Sequence, residues 1–384
     1  MDAQVPDLPH EVLLLCWRDT GHPQGGGSER YLERLGAELA RRGVRVTLRT
    51  AAHPGAPRTE FRDGMRISRG GGRLGVYPAA LIAIAAARFG VGPLAGTHPD
   101  VIVDSHNGVP FFATAIAPHT TVILVHHTHR EQWPVAGRLL GRLGWFIESR
   151  LSPWVHRRRP YVTVSQPSAD ELVALGVDRE RITVVRSGAD PVPEVAGVHG
   201  SSPRLVVLSR LVPHKQIEDA LTVTARLRGE FGGLTLDVIG GGWWGSELRS
   251  RADELGVSDI VRFHGHVDDL RKHELLAGAD VHLMPSRKEG FGLAVIESAQ
   301  HGVPTVGYRS SKGLCASIAD GNTGMLVDGV DEMVSATRKL IENTSLRAAM
   351  GERARTAAEE LSWEASTDAW IEVFRNLGQA PEAS

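Results

Sequence analysis

Short runs of Val, Ile and Leu alternate with longer segments of helical periodicity along most of this chain. Continuous apolar runs are typical of strands that a parallel sheet buries on both faces, and the segments between them supply the covering helices. The pattern stops in a stretch rich in Pro, Gly and Ser at 188–203 and then starts again. We therefore predict two doubly wound α/β domains, at 1–190 and 200–363, joined by a linker.

The same pattern predicts the individual elements. The predicted strands are 12–16, 44–48, 101–104, 121–125, 162–164, 182–185, 205–208, 234–239, 261–264, 281–284, 305–306 and 325–327. The predicted helices are 28–41, 110–117, 135–155, 169–175, 217–228, 246–255, 270–277 and 293–302, with a helical tail from 330. Ligands of doubly wound folds bind beyond the carboxyl ends of the strands, so functional residues are expected there.

Composition excludes several classes of protein. The 384 residues carry 43 Lys and Arg against 45 Asp and Glu, which is not the balance of a dedicated nucleic-acid-binding protein. The two cysteines, Cys16 and Cys315, are far apart, which disfavours a disulfide framework and favours a reducing cytosol. The start of the chain lacks the pattern of a secretory signal, and the longest apolar run, 79–87, is far shorter than the ~20 residues of a membrane span. We therefore predict a cytoplasmic protein without a nucleic-acid partner.

A glycine-rich loop follows the first predicted strand. The run Gly25–Gly27 precedes Ser28 and Glu29, which open a helix. Bare backbone at a helix N-terminus offers N–H groups to an anion or a sugar, although a flexible surface loop has the same composition. A dinucleotide-binding fingerprint is disfavoured, because Arg30 stands where its third glycine would be and no acid follows the second strand.

Three histidines, His126, His127 and His129, follow the strand predicted at 121–125. A zinc site is disfavoured, because alternation at a strand end cannot bring all three rings to one ion without a strained turn. One imidazole that lines a binding cleft is the favoured interpretation, with the other two as core or solvated residues.

Two cations follow the first strand of the second half. This strand, 205–208, runs into Ser209 and Arg210, and Lys215 comes five residues after the arginine. The pair suits a diphosphate, since arginine can bind phosphate in a bidentate way and lysine adds a mobile charge. The alternative is a solvated pair on a turn. The next strand ends in Gly240–Gly242, which again allows a close approach to the backbone.

Two glutamates flank the start of a later helix. Glu289 precedes it, and the backbone N–H groups of 290–293 form its positive end. Glu297 lies eight residues further on, roughly 12 Å along the axis. One carboxylate can therefore face a sugar while the other reaches a ribose, with phosphates between them. The alternatives are two surface acids, or an ion pair of Glu289 with Lys288 or Arg287.

Together these motifs resemble those of retaining glycosyltransferases of family four, which have the GT-B fold. The resemblance covers nearly the whole chain, and its most specific part is Pro285-Ser286-x-x-Glu289-Gly290-Phe291-Gly292, followed by Glu297 and Gly302-Val303-Pro304. It implies two Rossmann-like domains with an interdomain cleft, and a last helix, 364–384, that packs back on the first domain. Two departures from the family pattern, at 187–190 and at Trp243-Trp244, leave the hinge contact and the base or sugar preference open.

The resemblance also implies roles for single residues. Arg210 and Lys215 would bind the donor diphosphate. Glu297 would bind the ribose and Glu289 the sugar, with His127, or less favourably His126, beside it. The implied donor-binding set is Gly26, Gly27, Arg210, Lys215, Gly240, Val267, Gly290, Phe291, Gly292, Leu293 and Glu297. The implied catalytic set is His127, Arg210, Lys215 and Glu289.

The implied reaction moves a hexosyl unit, with retention, from a nucleoside-diphosphate sugar to a hydroxyl of a lipid, a polysaccharide or a small molecule, as in cell-envelope glycan or glycolipid biosynthesis. The chain has no Asp-x-Asp sequence, which fits an enzyme that needs neither metal nor cofactor. Front-face attack is favoured over a covalent intermediate on Glu289. A nucleotide-sugar 2-epimerase of the same fold and a non-catalytic sugar-nucleotide binder are the alternatives.

The segment 137–159 mixes basic and large apolar residues. Its arginines are Arg138, Arg142, Arg150, Arg157, Arg158 and Arg159, and they interleave with Leu139, Leu140, Leu143, Trp145, Phe146 and Trp154. Such a mixture suits a helix that lies at the surface of an anionic bilayer, and a core helix with a solvated basic face is the alternative. As a hypothesis, the protein contacts the cytoplasmic face of a membrane peripherally.

Overall fold

The structure is a computed structural model and describes residues 8–22, 25–130, 133, 137–195, 200 and 202–377. These residues form two compact units. One consists of those up to Gly188 together with those from Trp363 onward, and the other lies within Ala189–Ser362. Parts of the predicted helices 135–155 and 364–384 and of the linker lie outside the described residues, as do residues 1–7.

In the described residues, the first unit contains an eight-stranded sheet. Its strands are β1 Glu11–Leu15, β2 Arg45–Thr50, β3 Thr59–Arg62, β4 Met65–Arg69, β5 Val101–His106, β6 Thr121–Val125, β7 Tyr161–Thr163 and β8 Ile182–Val184. They lie in the order β3-β4-β2-β1-β5-β6-β7-β8, and each neighbouring pair is parallel except β3 with β4. The helices of this unit are α1 Gly27–Arg41, α2 Val76–Ala87, α3 Arg138–Phe146, α4 Ser152–Val155, α5 Gln166–Ala174 and the C-terminal α13 Trp363–Leu377.

Strand β1 shows how this sheet is covered on both faces. All five of its residues are buried. Leu13 and Leu15 pack in the cluster that includes Ala80 of α2, whereas Leu14 lies against Gly36 of α1. The alternation follows from the period of two along a strand, and the two helices therefore shield opposite faces. Of the helices that the structure describes, none is long and apolar enough to cross a membrane.

Helix α13 packs on α1. The Trp370 side chain is fully buried, and its Nε1 donates to Tyr31 Oη at 2.8 Å. Tyr31 Oη in turn donates to the carbonyl oxygen of Val185 at 3.2 Å. At the rim, Arg42 pairs with Asp368. The last helix is therefore held by buried aromatic side chains, of which Trp370 is the most deeply buried, and by contacts at its edge.

We expect Trp370→Ala to lower the free energy of unfolding by about 3–5 kcal/mol, because it removes the largest buried side chain of this contact and leaves a cavity. Denaturant unfolding measures this. The matched control is Trp154→Ala, because Trp154 is 64% exposed and its loss leaves no internal cavity. Equal midpoints for both variants would contradict the anchoring role.

The second unit is built around a six-stranded sheet in the described residues. Its strands are β9 Arg204–Leu208, β10 Thr235–Ile239, β11 Val261–Gly265, β12 Val281–Met284, β13 Thr305–Tyr308 and β14 Gly324–Val327. They lie in the order β11-β10-β9-β12-β13-β14, and the neighbouring pairs are parallel. The helices of this unit are α6 Ile217–Leu227, α7 Gly245–Glu254, α8 Asp269–Ala277, α9 Leu293–Ala299, α10 Lys312–Ser317, α11 Val330–Glu342 and α12 Thr344–Glu359.

The α/β class predicted from the sequence is confirmed. All twelve predicted strands are present, with each end within two residues of its predicted position. The hairpin of β3 and β4 was not predicted, and neither were α2 and α10. The turn of the hairpin is Asp63-Gly64, with φ angles of +50° and +77°. Asp-Gly between two short strands is a recognisable hairpin signal, so the sequence did contain the information.

One predicted helix is reduced to a single turn, and another is helical as predicted but contains a π-helical turn. Residues 110–117 hold only the 3₁₀ turn Ala113–Ala115, because the buried Asp104 carboxylate accepts the backbone N–H groups of Phe111 and Ala113 and because Phe112 is left-handed. Burial raises the pKa of Asp104 to about 6. The described part of 135–155 is α3 and α4 with a π-helical turn, Ile147–Leu151, between them.

Candidate active site

The order of the strands in the second unit indicates where a ligand binds. From β9 the chain winds through β10 to β11 on one side, and it then returns to β12 on the other side of β9. This reversal opens a crevice beyond the carboxyl ends of β9 and β12, where doubly wound folds bind their ligands. The loops at that edge are 209–216 and 285–292, which carry six of the predicted site residues.

An ion pair joins the two loops. The Lys215 ammonium contacts a carboxylate oxygen of Glu289, and both side chains are about nine-tenths buried. The backbone holds the loops in register as well, since the Arg287 N–H donates to the carbonyl oxygen of His214 at 3.0 Å. The alternative in which Glu289 pairs with Lys288 or Arg287 is wrong, because the partner of Glu289 is Lys215. Lys215, which was assigned to the diphosphate, and Glu289, which was assigned to the sugar, thus form one ion pair.

Arg210 differs from Lys215. It is exposed, and its guanidinium makes no hydrogen bond or ion pair with another residue of the described ranges. Its loop is held in place through backbone contacts: Leu211 N–H donates to the carbonyl oxygen of Gly241 at 2.9 Å. The arginine is therefore a positive group at the crevice edge with its hydrogen-bonding capacity available.

The close packing of the loop after β9 explains why glycines follow β10. A Cβ on Gly240 would lie 2.0 Å from the Ser209 carbonyl oxygen, and one on Gly242 would lie 2.1 Å from that of Leu211. Gly240 also has a φ of +125°, which other residues rarely adopt. The sequence interpretation, room for a ligand, is thus not needed to explain these glycines, because the loop of Arg210 already fills that space.

Glu297 has a partner that sequence reasoning missed. Lys272 of α8 is buried, and its Nζ lies 2.6 Å from Glu297 Oε1 and 2.9 Å from Asp269 Oδ1. The only available signal is compositional. The chain has five lysines against many more arginines, and two of the five hold the two glutamates of this site.

The segment before α9 is tightly packed. Phe291 is buried, and Gly292 has a φ of +76°. A Cβ on Gly313 of α10 would lie 2.1 Å from the Glu289 carbonyl oxygen. Helix α9 ends at Ala299 rather than at 302 as predicted.

The other predicted donor contacts of this unit, Gly290, Leu293 and Val267, are half-buried. Gly290 and Leu293 are half-buried beside Phe291, at the carboxyl end of β12. Val267 lies in the loop after β11, where it packs against the core cluster that includes Ile239 and Leu276. Its predicted contact with the donor stays a prediction.

The glycine-rich loop of the first unit is already capped. The Gly26 N–H donates to Glu29 Oε2 at 2.8 Å, and Glu29 Oε1 lies 3.4 Å from Arg18 Nε. The interpretation that the amides of this loop are open to a ligand is therefore wrong for Gly26. For Gly27, the first residue of α1, it stays a prediction.

The three histidines after β6 have three environments. His126 is buried against the Tyr31 ring, and burial lowers its pKa to about 4, so it is neutral near pH 7. His127 is half-buried and stacks on His129, with ring centroids 4.6 Å apart. His129 Nδ1 lies 3.2 Å from a Glu148 oxygen. Within the described residues no group of three His, Cys, Asp or Glu side chains is placed to hold a metal.

Two family models match the chain. Residues 192–357 match Glycosyl transferases group 1, and residues 25–192 match Glycosyltransferase Family 4. A GDP-mannose-dependent alpha-(1-6)-phosphatidylinositol monomannoside mannosyltransferase of Mycobacterium tuberculosis is 31% identical over 62% of this chain and 65% of its own length, just under two thirds. Its namesake from Mycolicibacterium smegmatis is 28% identical over 94% of this chain and 98% of that protein. A glycogen synthase of M. tuberculosis is 30% identical over 72% and 68%.

Solved structures share the fold at low identity. Sucrose-phosphate synthase from Thermosynechococcus elongatus superposes with a TM-score of 0.79 at 19% identity, covering 97% of this chain and 100% of that one. The Anabaena protein HepE, crystallised with UDP and glucose, gives 0.73 at 18% identity over 96% and 100%. The solved structures therefore show the GT-B fold, and the two family models show the class of protein, a glycosyltransferase. Within that class, the chain belongs to the Glycosyl transferases group 1 family.

Proposed function

We propose that this protein transfers a hexosyl unit from a nucleoside-diphosphate sugar to an acceptor hydroxyl, with retention at the anomeric carbon. The observation that carries the proposal is the cluster at the carboxyl ends of β9 and β12. There, Lys215 is joined to Glu289 and Arg210 offers a guanidinium. An ammonium held by a carboxylate, with an available guanidinium nearby, suits a ligand that combines a diphosphate with a sugar. Membership of the family supports the same reaction.

The chemistry follows from the leaving group. As the bond from the anomeric carbon to phosphate oxygen breaks, negative charge grows on the diphosphate, and Arg210 and Lys215 stabilise it. The acceptor oxygen forms its bond on the face from which the diphosphate departs and gives its proton to a phosphate oxygen. Two side-chain cations supply the charge that a metal would otherwise supply, so we propose that no metal is needed. A covalent adduct on Glu289 is the competing route.

The names of the relatives indicate which donors and acceptors should be tested first. Two of them are named for GDP-mannose and a phosphatidylinositol mannoside. A third kind, at 34% identity over 59% of this chain, is named D-inositol 3-phosphate glycosyltransferase. We propose a nucleoside-diphosphate hexose as donor, with GDP-mannose first in line. The proposed acceptor is a lipid or a growing glycan at the cytoplasmic face of the membrane.

A thermal-shift panel of UDP, GDP, ADP and their hexose conjugates identifies the donor. A ligand at 100 times its dissociation constant stabilises the protein by about 2.7 kcal/mol. The donor that binds is then incubated with membrane lipids, with and without EDTA, and the products are analysed by mass spectrometry. A glycosylated lipid or glycan with an unchanged anomeric configuration supports the proposal.

Three outcomes would contradict it. An epimerised nucleotide sugar without a glycosylated product indicates a 2-epimerase. Intact donor after long incubation, despite binding, indicates a non-catalytic binder. Activity that EDTA abolishes and Mg²⁺ or Mn²⁺ restores would overturn metal independence.

A further inference from the structure

Helix α3 turns its large apolar side chains outward. The exposed fractions are 82% for Leu139, 65% for Leu140, 54% for Leu143 and 55% for Phe146. Trp154 of α4 is 64% exposed. Of the fourteen large apolar side chains that are exposed in the described ranges, five therefore lie between 139 and 154. The alternative from the sequence, a core helix, is wrong for this face.

The inward face of α3 is made of glycine. Gly141 and Gly144 are buried, and a Cβ on Gly144 would lie 2.2 Å from the Trp133 ring. At about 100° per residue, the apolar side chains occupy an arc of about 120° that points away from these glycines. The helix lies close to the body of the unit on its small residues, which leaves its large residues in solvent.

The charge around this arc has one sign. Arg138, Arg142 and Arg150 are exposed on α3 and on the turn that follows it, and Arg157 and Arg158 are exposed just after α4. The one acid in this segment, Glu148, is buried and accepts a hydrogen bond from Trp133 Nε1 at 2.6 Å. No negative side chain of 137–159 therefore faces solvent. The Arg157 guanidinium also lies 5.4 Å from the centre of the Trp154 ring, so a basic and an aromatic side chain of this segment are in contact.

We propose that this surface, residues 138–158, docks the protein on an anionic lipid bilayer. A protein partner of ordinary composition could cover the apolar side chains of α3 with its own apolar surface. It would leave the flanking arginines without counter-charges. An anionic bilayer supplies both at once, since the acyl region takes the leucines and Phe146 and the headgroup phosphates lie level with the arginines. Trp154 suits the boundary between the two, because its ring is amphipathic.

The proposal extends the proposed work on a lipid acceptor, but vesicle binding requires no catalysis, so the two can fail separately. Co-sedimentation is measured with phosphatidylcholine vesicles that contain or lack phosphatidylglycerol. The full chain is expected to bind the anionic vesicles and to bind neutral ones at least about tenfold more weakly, as the number of exposed arginines implies.

Two double variants separate the contributions. Leu139→Ser with Phe146→Ser is expected to lower binding to anionic vesicles by about tenfold or more, since both side chains leave the apolar arc. Arg138→Gln with Arg142→Gln is expected to remove most of the preference for anionic lipid. The matched controls lie outside the surface: Phe61→Ser with Trp243→Ser, and Arg226→Gln with Arg251→Gln. Thermal unfolding confirms that each variant is folded.

The outcomes are decisive in both directions. Binding that falls in the surface variants and not in the controls supports docking on a bilayer. Binding that ignores phosphatidylglycerol, or that survives both surface variants, overturns it. Light scattering without vesicles tests the alternative that a second copy of the chain covers this surface. A dimer of the full chain that Leu139→Ser with Phe146→Ser converts to a monomer would assign the surface to that second copy instead.

Discussion

Replacing Lys215 with alanine is expected to lower kcat/KM for glycosyl transfer by about 10²–10³-fold, the usual cost of losing one preorganised group that stabilises the transition state. Two effects add up. The variant loses a cation beside the leaving diphosphate, and it leaves the Glu289 carboxylate without its partner in a site where both side chains are largely buried. The unpaired carboxylate then repels the donor.

Steady-state kinetics with the donor from the thermal-shift panel measure the effect. Lys339→Ala is the matched control, because this lysine is exposed on α11 in the same unit. A cycle of Lys215→Ala, Glu289→Ala and the double variant measures the coupling between the two groups, because the double variant removes the repulsion together with the sugar contact assigned to Glu289. Near-normal turnover of a well-folded Lys215→Ala protein would refute the assignment of the diphosphate to this crevice.

Replacing Glu297 with alanine is expected to lower kcat/KM by about 10²-fold. We expect most of this decrease to come from a higher KM for the donor. A carboxylate that accepts hydrogen bonds from the ribose hydroxyls binds ground state and transition state alike, so its removal weakens binding. Lys272, which is buried, would retain Asp269 as its counter-charge.

A donor analogue makes this test specific. The natural protein should discriminate against the 2′,3′-dideoxyribose analogue of its donor, and Glu297→Ala should lose that discrimination. Lys272→Met keeps the carboxylate but removes the group that orients it, so a smaller effect of the same kind is expected. The control is Glu274→Ala, whose carboxylate pairs with Arg271 at the exposed surface of α8. Unchanged discrimination in Glu297→Ala would show that Glu297 does not contact the ribose.

Part of the site was predictable because the fold makes strand ends meet. Arg210 and Lys215 follow β9, and Glu289 follows β12, which pairs directly with β9. A parallel sheet brings such ends to one edge, so local sequence was enough to place these residues together. Lys272 could not be found in this way, because it lies on the body of a helix whose neighbours depend on how α8 packs beside α9.

The sequence by itself determined twelve of the fourteen strands of the two sheets, because hydrophobic periodicity is a local property of the chain. It also determined which charged residues stand at strand ends. Tertiary structure alone decided the partners: Glu289 and Glu297 take lysines that lie 74 and 25 residues away along the chain. It also decided that the glycine edge of α3, and not its leucine edge, faces the unit. Hydrophobic periodicity shows where the apolar side chains of a helix lie. Which side of α3 faces the unit depends on the shape of the surface against which the helix packs.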